Sequence, residues 1–184
     1  MIITITGLPG SGKTTIAKMI SEFYKIPWYS MGDLRGKMAM ERGLTLAEFN
    51  KLGEQEIFTD KDVDDYQTKL GQSGESFVID GRLSWHFIPN SYKIFLDVDP
   101  TVAAERVMNQ TRADRQDEKP YASIEEAKTT MAERIASDQR RYEKYYNLNI
   151  LDLTPYDLVI DTTNKTPEKI MEEIKQKISE WQNP

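Results

Sequence analysis

The sequence predicts an α/β fold of three layers, a five-stranded parallel sheet covered by helices on both faces. Two observations carry this prediction. Five short apolar runs alternate with segments of helical period along the 184 residues, and strands separated by helices pair in parallel with both sheet faces buried. The first run, Ile2-Ile3-Thr4-Ile5-Thr6, leads directly into Gly7-Leu8-Pro9-Gly10-Ser11-Gly12-Lys13-Thr14 and then a helix-like stretch from Thr15 to Tyr24. The octet has the spacing G-x-x-x-x-G-K-[ST] in the strand-then-helix context that this phosphate-binding loop requires. Its glycines let the backbone curl so that N–H groups converge on phosphate oxygens, and the following helix turns its positive end to the same anion. A P-loop NTPase fold is therefore expected. Gly7, Leu8, Pro9, Gly10, Ser11, Gly12, Lys13, Thr14 and Thr15 would hold the phosphates of a nucleoside triphosphate, Lys13 would reach the outer ones, and the Thr14 hydroxyl would sit on Mg2+.

The other elements follow in order. Pro27-Trp28-Tyr29-Ser30 reads as a second strand, followed by about forty residues without strand signal, broken by Gly32, Gly36, Gly43 and Gly53. Within them Thr45-Leu46-Ala47-Glu48 has the form of a capping box, and Lys61 to Leu70 reads as a further helix. Ser76 to Ile79 is the third strand and Tyr92 to Leu96 the fourth; Asp99 and Pro100 then open a helix toward Arg112 as N-cap and first helical residue. The polar stretch Ala113 to Ala122 is expected to be mobile. Ser123-Ile124-Glu125-Glu126 forms a second capping box at the head of a long helix ending near Tyr146. Tyr156 to Ile160 is the last strand, and Thr166-Pro167 starts a final helix with Ile170, Ile174 and Ile178 along one face.

Composition narrows the function classes. A net charge of −6 argues against a broad nucleic-acid surface. The absence of cysteine and the single histidine, His86, leave no thiolate zinc site, disulfide framework or Cys nucleophile. No long apolar run and no basic, apolar leader are present, so a cytoplasmic protein without membrane contact is expected. The acidic run Asp60 to Asp65 reads as a solvated helix start, because it lacks the ligand spacing of a calcium loop. Met31, Met38 and Met40 read as gap fillers, and Tyr142, Tyr145 and Tyr146 as packing residues.

Several polar groups fall where the phosphate loop opens. Asp80 ends the third strand, the place from which a carboxylate orients Mg2+ in proteins with this loop. After the second strand, Ser30, Gly32, Asp33 and Arg35 either seat a second anionic substrate or begin a helix that Ser30 or Asp33 caps. Arg134, Asp138 and Arg141 recur at i, i+4 and i+7, on one face of the long helix. By spacing alone they are equally a ligand-facing set and an ion-paired surface. Arg112 and Arg115 are either charge-stabilising fingers over the donor phosphates or solvated charge. Asn164-Lys165-Thr166-Pro167 lacks the Asp of a guanine-reading segment, which lowers the reading as a GTP switch.

Together these motifs resemble the nucleoside monophosphate kinases, and among them the cytidylate kinases of the short archaeal type. The resemblance rests on Gly7 to Thr14, on Ser30 to Arg35 with Glu41-Arg42-Gly43 and Glu48 to Leu52, on Asp80-Gly81-Arg82, and on Tyr156 to Thr162. It implies transfer of the ATP γ-phosphoryl to CMP or dCMP. It also implies acceptor contacts by Ser30, Arg35 and Arg82, and a phosphate and sugar grip by Arg134, Asp138 and Arg141. Lys13, Arg112, Arg115, Arg134 and Arg141 would act on the transferred group. The chain would be one domain and a monomer, with a core of residues 1–31, 74–111 and 147–184, an acceptor-binding helical insertion at 32–73 and a lid at 112–146. Bacterial cytidylate kinases carry another Asp after Asp-Gly-Arg where this chain has Leu83, so one contact to the cytosine or sugar is missing; adenylate kinases continue Asp-Gly with Phe-Pro-Arg. The competing readings are a kinase of a hydroxylated metabolite, of shikimate or gluconate type with Asp33 as base, and a nucleotide-binding switch without turnover.

Overall fold

The computed structural model describes residues 1–109 and 121–182. Five parallel strands lie in the order β2-β3-β1-β4-β5. They are β1 (Ile2–Gly7), β2 (Trp28–Ser30), β3 (Phe77–Asp80), β4 (Tyr92–Asp97) and β5 (Leu158–Asp161). Among the described residues eight helices surround them: α1 (Lys13–Tyr24), α2 (Met31–Glu41), α3 (Leu46–Gly53), α4 (Phe58–Gly71), α5 (Ser84–Phe87), α6 (Pro100–Asn109), α7 (Ile124–Tyr146) and α8 (Pro167–Gln182). Of the stretch Ala113 to Ala122 expected to be mobile, residues 113–120 lie outside the described residues, as do Arg112 and Arg115.

The alternation of strand side chains sorts the core into two layers. Ile3, Ile5, Val78, Ile94, Leu96 and Ile160 pack against Ile16 and Ile20 of α1 and Ile170, Ile174 and Ile178 of α8. Phe77 and Ile79, one residue out of phase with Val78, pack on the opposite face with Met31, Met38, Phe49, Val63 and Ile88. A third cluster joins α6 to α7 through Ala103, Ala104, Val107, Ala127 and Met131. The inserted helices α2 to α4 therefore form one wall over the carboxyl end of the sheet. Helix α7 packs against both α6 and α3 and closes the side.

The end signals hold with adjustments. Thr45 and Glu48 make both capping-box bonds at α3. Ser123 accepts from the Glu126 N–H at 3.1 Å, but the Glu126 carboxylate reaches one residue further back, to the Ala122 N–H at 2.6 Å. The Asp99 carboxylate accepts from the N–H groups of Thr101 and Val102 and so opens α6. Gly32, Gly36 and Gly53, read from the sequence as breaks, lie inside helices; of that set only Gly43 stands in a turn, with φ of 69°. Among the described residues no helix is long and apolar enough to cross a membrane.

Candidate active site

Parallel pairing brings three strand ends together: Asp80 lies in register with Ser30 on one side and Ile5 on the other, just before the loop that leaves Gly7. Within that loop Gly7, Gly10 and Gly12 have φ of 155°, 76° and 89°. A Cβ on Gly7 would stand 2.2 Å from the Leu96 carbonyl oxygen, so side chains are barred there. Helix α1 begins at Gly12 with no side-chain cap and no acid in its first turn, which leaves its N–H groups for an external anion.

The loop opens into a cavity of about 500 Å³. Pro9, Gly10, Gly12, Lys13, Thr14 and Thr15 form its floor, Asp80, Gly81 and Arg82 one side, and Arg134, Asp138 and Arg141 of α7 the side facing the loop. Lys13 Nζ donates to the carbonyls of Gly7 and Leu8 at 2.9 and 2.8 Å. Loss of water and the neighbouring Arg82 hold its ammonium well below the usual lysine range. Asp80 shares strand parity with Val78 and so faces α1, where its carboxylate accepts from Thr14 Oγ1 at 3.3 Å. On its other oxygen it accepts from Trp28 Nε1 at 2.7 Å. Burial pushes the Asp80 carboxyl up. Thr14 and Asp80 are an all-oxygen pair, and among the described residues no cluster of three or more acids, histidines or cysteines forms a cage. This donor set suits Mg2+, which keeps several waters and takes its remaining ligands from phosphates.

Opposite the loop runs a buried ladder of charge. Arg35 donates from Nε to Asn50 at 2.8 Å and from Nη1 to the Thr59 carbonyl and Asp60 Oδ1 at 2.6 and 2.9 Å. The same Asp60 oxygen accepts from Arg141 Nη1 at 2.5 Å, and Arg141 Nη2 donates to Asp138. Asp138 pairs on its other oxygen with Arg82 Nε at 2.9 Å, and Arg82 Nη1 donates to the Gly7 carbonyl. Arg35 Nη2 and Arg141 Nε, both buried, make no hydrogen bond within the protein. Burial and repulsion by Arg141 lower the Arg35 pKa. Burial also works against the charge on Arg141, but Tyr142, Asp138 and Asp60 outweigh it and hold that guanidinium ionised. Asp138, though buried, is kept below the ordinary carboxylate range by Arg82, Arg141 and Arg134.

A model of the cytidylate kinase-like family matches residues 2–164. The chain belongs to that family. A protein of Methanothrix thermoacetophila named cytidylate kinase is 43% identical to it over 162 residues, 88% of each chain. Among solved structures, an uncharacterised protein from Eubacterium ventriosum superposes with a TM-score of 0.71 at 22% identity, covering 97% of this chain and 98% of that one. Shikimate kinase from Bacteroides thetaiotaomicron gives 0.60 at 17% identity, with 97% and 98% covered. At these identities the two likenesses show a shared fold, the α/β fold that this chain has in common with shikimate kinase.

Of the acceptor-side residues expected from the cytidylate kinase-like motifs, Gly32, Arg35, Arg82, Arg134, Asp138 and Arg141 line the cavity, whereas Ser30 and Asp33 do not. Ser30 is the N-cap of α2 and accepts from the Asp33 N–H at 3.3 Å, so its oxygen serves the helix start. The acidic run needs correction. Asp60 is 3% exposed and joins the two arginines, and half-buried Asp64 lines the cavity; of the four aspartates only Asp62 and Asp65 are solvated. Asn50, Val63, Gln67 and Tyr142 also line it, all missed in the sequence. The signal was present: Asp60, Val63, Asp64 and Gln67 follow i, i+3, i+4, i+7, the spacing that singled out the arginines of α7. Nor are the tyrosines of α7 mere packing, since the Tyr145 hydroxyl donates to the Gly53 carbonyl and that of Tyr146 to Asp64.

Gly53 seals the ladder from below. A Cβ there would meet Thr59 Oγ1 at 2.6 Å, Arg141 Cδ at 3.0 Å and Arg35 Nη2 at 3.1 Å. Gly53→Ala is expected to destabilise the fold by about 1–3 kcal/mol through overpacking. A lowered urea midpoint with an unchanged m-value checks this.

Proposed function

We propose that this chain transfers the γ-phosphoryl group of ATP to CMP or dCMP, yielding ADP and CDP or dCDP. The observation that carries the reading is the wall of Arg35, Arg82, Arg134 and Arg141 across one cavity from the phosphate loop, a second anion pocket placed to present its occupant to the first. The name borne by the Methanothrix relative supports cytosine as the base.

The loop amides and Lys13 cradle the donor phosphates. Arg82 and Arg134 lie between the two pockets and neutralise charge on the group in transit, while Arg35 and Arg141 anchor the acceptor through the donors they have left over. An acceptor phosphate oxygen attacks the γ-phosphorus in line as the bond to the bridging oxygen of ADP breaks. That nucleophile is already an anion, so no general base is needed, and rate comes from positioning and positive charge. Thr14 and Asp80 would hold Mg2+, which when bound offsets charge on the donor phosphates. Arg112 and Arg115 are proposed to add charge from the lid side.

A panel of acceptors in a coupled ADP-release assay tests this. CMP and dCMP are expected to give the highest kcat/KM. Turnover with shikimate or a sugar acid but with no nucleoside monophosphate would overturn the proposal. Asp33, the base which that alternative needs, stands outside the cavity lining. Tight ATP binding with no acceptor-dependent turnover would point to a switch.

A further inference from the structure

Part of the cavity has no role in gripping phosphates. On α4, Val63, Asp64 and Gln67 line it beside Tyr142 of α7. Val63 and Tyr142 are buried walls, 7% and 6% exposed, that offer apolar surface to a ring. Gln67 is 2% exposed, and its Nε2 donates to Asp64 Oδ1 at 2.9 Å. Only the NH2 group of the amide can donate to a carboxylate, so this bond fixes which end is nitrogen. The Gln67 Oε1 atom is buried and has no hydrogen-bond partner in the protein. A buried acceptor left unpaired is costly, and a ligand donor would relieve it.

We propose that Gln67 reads the acceptor base, and that Asp64 makes the reading specific for cytosine by locking the orientation of the Gln67 amide. The locked amide offers an acceptor, Oε1, beside the second N–H of Nε2. Cytosine presents the complement along its pairing edge, a 4-amino donor next to the N3 acceptor. Uracil presents the reverse, a carbonyl next to an N3–H donor. A free glutamine would turn over and accept either base; one tied to a carboxylate would have to break that bond to greet uracil.

The surroundings of Asp64 add a pH dependence. From α7 the Tyr146 hydroxyl donates to its other oxygen; Asp60 on α4 and Arg35 on α2 act on it through space, and α3 contributes the uncharged Asn50. From α5, the His86 ring meets the Tyr146 ring at a tilt, with centroids 6.2 Å apart, and is itself held below the usual histidine range by burial. Burial is the largest influence on Asp64 and pushes its carboxyl up to about 6. Above that value the carboxylate can only accept, and the lock holds. Below it the protonated acid can donate to Oε1, and the amide is free to turn.

This inference rests on the proposed transfer to a pyrimidine monophosphate, and the experiment separates the two. The kcat/KM for CMP and for UMP is measured at saturating ATP for the wild type, Gln67→Leu and Asp64→Asn, with the thermal midpoint and the KM for ATP as controls of folding. Gln67→Leu is expected to lower kcat/KM for CMP by about ten- to a hundredfold and to bring the CMP to UMP ratio near one. Asp64→Asn, which keeps the shape but can donate or accept, lowers the ratio with less loss on CMP. In the wild type the ratio is expected to fall from about pH 7.5 to about pH 5.5, and in Asp64→Asn to stay level. Ionisation of the acceptor phosphate, near pH 6, is common to both substrates and cancels in the ratio. A CMP preference that survives in both variants, or a wild-type ratio independent of pH, overturns the assignment while leaving the kinase reading intact. Wild-type protein that turns over no nucleoside monophosphate overturns both.

Discussion

Replacing Lys13 with methionine is expected to lower kcat for phosphoryl transfer by about 10²- to 10³-fold, the loss seen when one preorganised charge donor is taken from a transition state. Stability should change little. The ammonium gives up two bonds, to the carbonyls of Gly7 and Leu8, and Arg82 still donates to Gly7. Its removal also relieves the repulsion with Arg82 that already depresses its pKa. Steady-state kinetics beside urea unfolding separates the two effects. Near-normal turnover in Lys13→Met would mean that the loop does not hold the phosphoryl donor.

The second large effect is on folding. Asp60→Ala removes the oxygen that accepts from both Arg35 and Arg141, leaving two buried guanidiniums facing one another. Breaking a buried pair in this way costs about 3–5 kcal/mol, because the stranded charge remains out of water. Asp62→Ala and Asp65→Ala, in the same run but at exposed positions, should stay within about 0.5 kcal/mol of wild type. Denaturant midpoints for the three variants decide the matter, and equal costs would refute the ladder. Asp60→Asn, which keeps that shared oxygen but not its charge, should fall between.

The contrast inside that acidic run shows what the sequence made legible. The phosphate loop was readable because backbone curvature demands glycine at fixed spacing, and the helix starts at Thr45 and Asp99 because capping is local chemistry. The face of Arg134, Asp138 and Arg141 was readable as a face, although spacing alone left its exposure open. Asp60 was hidden for the same reason in reverse. Four aspartates among six residues look solvated, and the partners that bury Asp60 lie 25 positions before it and 81 after it. Gly32 and Gly36 misled because helix α2 tolerates them where tertiary packing outweighs propensity. Ser30 was open between ligand and cap, and its bond to the Asp33 N–H shows the cap.

The ladder from Arg35 to Arg82 also bears on how tightly the pocket holds what enters it. A free arginine side chain carries about 2 kcal/mol of rotamer entropy, which an arriving phosphate would normally have to extinguish. In this protein Asp60 and Asp138 have frozen the guanidiniums during folding, so association pays little for their ordering. The same aspartates dilute the positive field. Fast capture therefore need not bring slow escape, as an enzyme that must shed a more highly charged product than the acceptor it took in requires.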